Sequence, residues 1–157
     1  MDTITEHKVD RSGWGPGPWD GEPDRAEWRT TAGLHAIAHR VDHGAWCGYV
    51  AVPPGHPMHG KSDGDSEVYA LEVHGGITYG AACRTPICHV APPGEPDDVW
   101  WLGFDCIHCD DFAPRLSPNR SAFLYSGEGA GGTYRTLEYV REQCESLARQ
   151  LADLGAP

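Results

Sequence analysis

With 157 residues and a formal charge of −11, the chain is long enough for one domain with its own core and short for two. Acidity on this scale argues against direct nucleic-acid binding, which leaves a basic footprint, and favours a cation or a basic protein surface as partner. No stretch nears the roughly 18 consecutive apolar residues that a membrane-spanning helix needs, so no membrane partner is expected.

Residues 1–17 mix acids and bases and hold no apolar leader core, so a cytoplasmic protein is expected. Six cysteines in that compartment are expected to stay reduced, as core thiols or metal ligands. The charge is uneven. Between Lys61 and Asp111 ten acids face only Lys61 and Arg84, so this segment carries −8 of the −11. A solvated acidic face that keeps the protein soluble accounts for the same numbers.

Residues 1–22 contain Gly13, Gly15, Gly17 and Gly21 with Pro16 and Pro18, and read as an irregular arm before a single domain over 23–157. Trp14 and Trp19 argue against disorder there, because large aromatics are normally buried. Residues 27–31 are a first strand candidate. Residues 34–41, the turn Asp42-His43-Gly44 and residues 45–52 then form a hairpin pattern. The segment 53–61, with Pro53, Pro54 and Pro57, must be a loop, since proline removes ladder donors. His56 and His59 lie in it with no helix to put them on one face.

An acidic turn over 63–67 lacks the glycine and the final glutamate of a calcium loop. The apolar run 69–73 reads as a strand, and His74-Gly75-Gly76 turns the chain into Ile77-Thr78-Tyr79. Residues 84–98 form a long Pro- and Gly-rich loop, and 99–104 is the most apolar strand. Residues 112–132 are irregular and end in a glycine run that lacks the Lys-Ser/Thr of a phosphate loop.

The one long helix expected covers 134–154. Leu137, Val140, Cys144, Leu147, Leu151 and Leu154 recur at helical spacing, Thr133 and Gly155 can cap it, and Glu145 and Arg149 form an i,i+4 pair. The fold class is α+β: a mainly antiparallel sheet of about five or six strands packed by one long C-terminal helix.

Reactive side chains gather between residues 72 and 111. If the runs 69–73 and 99–104 are neighbouring strands, His74, Asp105, His108 and the pair Asp110-Asp111 collect along one sheet edge. A ligand pocket there would take in His74, Tyr79, Trp101, Asp105, His108 and Asp111. Two imidazoles with carboxylates can hold a divalent metal at His74, Asp105, His108 and Asp111, with His89 as a further candidate. Without metal, His74, Asp105 and His108 can act as a general acid–base set. Hydrogen bonding at turns and strand ends explains either histidine alone.

Cys83-x4-Cys88 and Cys106-x2-Cys109 offer a different answer, a structural four-cysteine zinc site. Pro86 inside the first pair and the flanking His89 and His108 leave that ligand set open. Serine hydrolysis finds little support: His74-Gly75-Gly76 echoes an oxyanion motif, but no Gly-x-Ser-x-Gly exists and Ser126 lacks the elbow. Cys88 beside His89 and Cys106 near His108 are candidate thiol nucleophiles.

Several motifs carry a resemblance. They are Trp19-Asp20-Gly21-Glu22-Pro23, the run Gly48-Tyr49-Val50-Ala51-Val52-Pro53-Pro54-Gly55-His56-Pro57, Val73-His74-Gly75-Gly76-Ile77-Thr78-Tyr79, and Trp100-Trp101-Leu102-Gly103-Phe104-Asp105-Cys106-Ile107-His108. With Glu138-Tyr139-Val140 they resemble a group of small, functionally uncharacterised proteins carried by bacteriophages and prophages, over roughly residues 19–151. The matching positions include His74, Asp105, His108 and Asp111, whereas Cys109 falls outside the pattern. The resemblance thus favours the His/Asp set over the four cysteines. It implies a small soluble accessory protein in the host cytoplasm that binds a host protein or a small ligand and so antagonises a host defence system. The alternatives are a metal-dependent hydrolase using the same His/Asp cluster and a zinc-binding interaction module.

Overall fold

The computed structural model describes residues 6–115 and 132–155. Five strands form one antiparallel sheet: β1 (Arg25–Arg29), β2 (His35–Arg40), β3 (Trp46–Val52), β4 (Tyr79–Ala82) and β5 (Trp100–Asp105), in the spatial order β1-β2-β3-β5-β4. One helix, α1 (Leu137–Gly155), covers one face. The architecture is the expected α+β arrangement.

Side-chain alternation decides the layers. Ala36, Ala38, Val50, Val52, Leu102 and Phe104 face α1 and meet its stripe of Val140, Cys144, Leu147 and Leu151. Ile37, Tyr49, Ala51 and Trp101 point the other way into a second cluster, closed by Ile87 and Val99 from the long loop. Every residue of β3 is buried, so this strand is the centre of both layers. Gly48 of β3 pairs with Phe104, and any side chain there would strike the Phe104 ring and the Cys144 sulfur. That glycine lets α1 settle onto the sheet.

The N-terminal arm has no helix or strand over 6–22, yet Val9, Trp14 and Trp19 lie in the main core. Trp19 stands edge-on to Tyr134, ring centroids 5.2 Å apart, and stacks over Phe112 at 6.1 Å. The arm therefore completes the domain that the sequence pattern begins at residue 23.

Four expectations need correction. β1 begins two residues earlier than the pattern suggested, and the run 69–73 is not a strand at all. A 3-10 turn covers Ser66–Ala70 and leaves Tyr69 exposed, and the following backbone is held by a side chain: Glu72 N–H donates to Gln150 Oε1 (2.7 Å) and Gln150 Nε2 donates to Glu72 O (2.7 Å). The neighbours of β5 are consequently β3 and β4. The helix starts at Leu137, capped by the Thr136 hydroxyl, which accepts from Tyr139 N–H at 3.1 Å, and by Glu22, which accepts from Leu137 N–H. Thr133 bridges to Asp111 instead, Leu154 is half-exposed, and Glu145 turns to Trp28 and the Thr31 amide rather than to Arg149. Finally, Cys83 and Cys88 form a disulfide, Cα atoms 4.7 Å apart, so not all six cysteines are free.

Two measurements test this fold. Leu147 is fully buried against β3, so Leu147→Ala is expected to lower unfolding free energy by about 2–5 kcal/mol in denaturant titration. A change under about 0.5 kcal/mol is what a surface position gives. The second concerns His39, where Arg25 Nη1 donates to Nδ1 at 3.1 Å. A guanidinium has only donors, so Nδ1 is unprotonated and the ring neutral. Burial, then the charges of His7 and Arg25, push its pKa from 6.5 down to about 4. Between those values the unfolded chain binds a proton that the native protein refuses. Stability is expected to fall by up to about 3 kcal/mol as pH drops from 6.5 towards 4, and His39→Gln should flatten that slope. An unchanged slope in the variant rejects His39 as its source.

Candidate functional site

Three segments far apart in sequence converge on the carboxylate of Asp111. After β5 the chain reverses: Asp105 Oδ1 accepts from Ile107 N–H (3.1 Å), Asp111 N–H donates to His108 O (2.9 Å), and Asp111 Oδ2 accepts from His108 N–H (2.9 Å). An aspartate that bonds its own turn in this way fixes where its second oxygen points. A parallel bridge to Thr133 then ties Asp111 to the approach of α1, and the close-packed Gly132 (φ +88°) would set a Cβ 2.7 Å from Asp111 O.

The second segment is the His74-Gly75-Gly76 turn, which hangs from α1 through His74 N–H to Gln143 Oε1 (2.8 Å) and closes through Gly76 N–H to Val73 O (2.8 Å). Gly75 has φ +69°, and a Cβ on it would overlap the His108 ring. Both facts demand glycine there. The turn brings the His74 and His108 rings edge to face, centroids 5.5 Å apart.

The resulting geometry is tight. His74 Nε2 lies 3.0 and 2.9 Å from Asp111 Oδ1 and Oδ2, and His108 Nδ1 lies 3.3 Å from Oδ2. Arg135 Nε donates to Oδ1 at 2.8 Å, and the Tyr139 hydroxyl meets His74 Nδ1 at 2.8 Å. The Asp111 side chain is 1% exposed, His74 12% and His108 35%, so the cluster is reached from the His108 side. Burial alone would raise the Asp111 carboxyl. Hydrogen bonds from His74, the His108 amide and Arg135 outweigh it and hold the group below its ordinary value, hence ionised.

One ring nitrogen each of His74 and His108 and an Asp111 oxygen all lie within 4.8 Å of one another, the one such three-ligand group among the described residues. Ligands about 2.0–2.2 Å from one ion, at right or tetrahedral angles, stand roughly 2.8–3.6 Å apart. The two N···O separations to Oδ2, 2.9 and 3.3 Å, match that spacing closely. Three protein ligands leave at least one coordination position for water or substrate.

The other sequence candidates fall elsewhere. Asp105 stands at the margin, its Oδ1 3.7 Å from His108 Nδ1 and its Oδ2 accepting from Thr78 Oγ1 (2.8 Å). Trp101 and Tyr79 belong to the cluster on the opposite sheet face, where Tyr79 packs edge-on to Tyr49. His56 and His59 bond the carbonyls of Leu151 and Asp98. His89 packs against His35 and Trp101 beside an open cleft of about 810 Å³ that Arg25, His39 and Pro86 also line, away from the Asp111 cluster. Ser126 lies outside the described residues.

The four cysteines do not form one site. Cys83 and Cys88 are bonded to each other, which also removes Cys88 as a nucleophile, while Cys106 is buried and Cys109 exposed. Burial and then the Asp111 charge push the Cys106 thiol far up, so it supplies no thiolate. Sequence reasoning missed Arg135, Tyr139 and Gln143. Their spacing by four was the available signal, since it sets them on one side of the helix and its entry.

Comparison with family models, with curated proteins and with solved structures finds no match to the chain. The residues and their geometry carry the functional argument.

Gly75 offers a local test. Gly75→Ala combines a strained φ with overlap on the His108 ring, so it is expected to lower stability by about 1–2 kcal/mol and to shift the imidazole NMR signals of both His74 and His108. Unmoved histidine signals contradict the contact.

Proposed function

We propose that the protein is a metal-dependent hydrolase whose divalent ion, zinc for preference, is held by His74, His108 and Asp111. The supporting observation is the close spacing of three ligand atoms drawn from two turns far apart in sequence. Their outer partners strengthen it. Tyr139 holds the other ring nitrogen of His74, and Arg135 occupies Asp111 Oδ1, while Oδ2, which also accepts from the His108 amide, faces both imidazoles. An ion in this place lowers the pKa of a bound water towards about 7 and polarises a substrate oxygen, the two services that hydrolysis needs. Asp105, 3.7 Å from His108, is placed as an outer acceptor rather than a ligand.

The resemblance to phage-borne proteins would give this chemistry an accessory role against a host molecule in the host cytoplasm. One observation favours a second reading, a binding module for a basic host protein: the −8 carried between Lys61 and Asp111. In that reading the Asp111 network only fixes the shape of the surface. No helix among the described residues is long and apolar enough to cross a membrane.

Metal analysis separates the two. The purified protein is expected to hold about one equivalent of zinc, with His74→Ala and Asp111→Asn losing at least tenfold in affinity while Cys106→Ser/Cys109→Ser keeps it. Iron in place of zinc would redirect the centre to oxygen chemistry. Absence of any metal from wild type after zinc titration would leave the binding module standing.

A further inference from the structure

Arg135 has more donors than its described contacts use. Its Nε donates to Asp111 Oδ1, and among the described residues no hydrogen bond or ion pair involves either terminal amino group. The guanidinium lies against the Tyr139 ring, its central carbon 5.1 Å from the ring centroid, and the side chain is 23% exposed. Anchored through Nε and lying over the Tyr139 ring, the guanidinium is restrained at this place. Its amino groups are therefore held beside the carboxylate that would bind the ion. Such a fork matches the paired oxygens of a phosphoryl or carboxylate group.

The number of oxygens selects between those two. A phosphoryl group has enough oxygens to reach an ion and the fork together, whereas a carboxylate has two to divide between them. The exposed Asp110 and the nearby Asp105 repel any anion when the ion is absent. Anion binding here is thus conditional on metal.

We infer that the substrate of this centre carries a phosphoryl group, gripped by the Arg135 amino groups and by the open position of an ion on His74, His108 and Asp111. The inference rests on the metal-centre reading above. In a phosphate ester, a water-derived hydroxide would attack phosphorus and form the new P–O bond, with an ion held by His74, His108 and Asp111 supplying Lewis-acid stabilisation. The ester oxygen leaves with the electron pair of the broken bond and takes up a proton from water. Arg135 then has the position of a clamp on the phosphoryl oxygens, where charge collects during transfer.

Calorimetric titration tests this with methylphosphonate, a phosphoryl mimic without an ester to cleave, and with acetate as the carboxylate arm. Wild type is first titrated with zinc alone, and every later titration is run at saturating zinc for the protein in question. Methylphosphonate is expected to bind zinc-loaded wild type at least tenfold more tightly than acetate does, and not to bind the metal-free protein. Arg135→Gln should weaken methylphosphonate at least tenfold, with Arg135→Lys between the two, since lysine keeps the charge and loses the fork. Equal affinity in wild type and Arg135→Gln, or preference for acetate, overturns the phosphoryl inference and leaves the metal centre in place. A first titration without zinc uptake overturns both.

Discussion

Arg40 is a charge buried completely in the middle of the domain, and much of the fold is arranged to satisfy it. Its Nε donates to Asp24 Oδ1 at 2.7 Å, Nη2 to Glu22 Oε1 at 2.9 Å, and Nη1 to Gly44 O at 2.9 Å and to the Tyr134 hydroxyl. The rings of Trp46 and Trp14 cover its two sides, at 4.5 and 5.5 Å from the guanidinium carbon. Desolvating an ion costs several kcal/mol, which is recovered only when every donor finds a partner. Here the partners come from the arm, from the β2–β3 turn and from the approach to α1. The arm is drawn into the core by that requirement, and Asp24 also accepts from Val9 N–H at 2.7 Å.

The same network reaches the candidate site. Glu22, having met Arg40, caps α1 by accepting from Leu137 N–H. That contact fixes the rotation and start of the helix, and with them Arg135 just before it and Tyr139 and Gln143 within it. Arg135 then holds Asp111, while Tyr139 and Gln143 hold His74. A chain of direct contacts thus runs from one buried guanidinium to three residues that orient the cluster. Stability and site geometry are not separable near the N-terminus of α1.

Period explains what the sequence revealed and what it concealed. The β2–β3 hairpin, β5 and the stripe of α1 were legible because alternation or helical spacing persists through each. The run 69–73 misled because its neighbourhood obeys a third period: Val68 and Leu71, the buried pair, are three apart, as a 3-10 turn requires. β4 was nearly silent, since Gly80, Ala81 and Ala82 have little strand preference; Gly80 is needed where the backbone of Lys61 and Ser62 crosses it. Parity likewise governs the site. Trp101, Gly103 and Asp105 share the outer face, so Trp101 cannot join a cluster on the α1 side and Asp105 reaches only its margin. His74, His108 and Asp111 were legible as polar groups just beyond apolar runs. Arg135 and Tyr139 were not, because only the tertiary fold carries the helix entry to them.

The partner of His74 bears on how an ion could enter a carboxylate site that is already satisfied. The Tyr139 hydroxyl at His74 Nδ1 can donate to that nitrogen or accept from it, whichever ring nitrogen holds the proton. Coordination through Nε2 requires the tautomer with its proton on Nδ1. A carbonyl or an ammonium at this place would suit one tautomer and oppose the other. A hydroxyl can donate to one tautomer and accept from the other, so their exchange leaves the His74–Tyr139 hydrogen bond intact. Under the metal-centre reading, Asp111 would lose one donor from His74 and gain the ion, while Arg135 would continue to hold Oδ1. A network built only to seal a turn has no need of a reversible partner. Tyr139 is the residue that lets one arrangement serve both states.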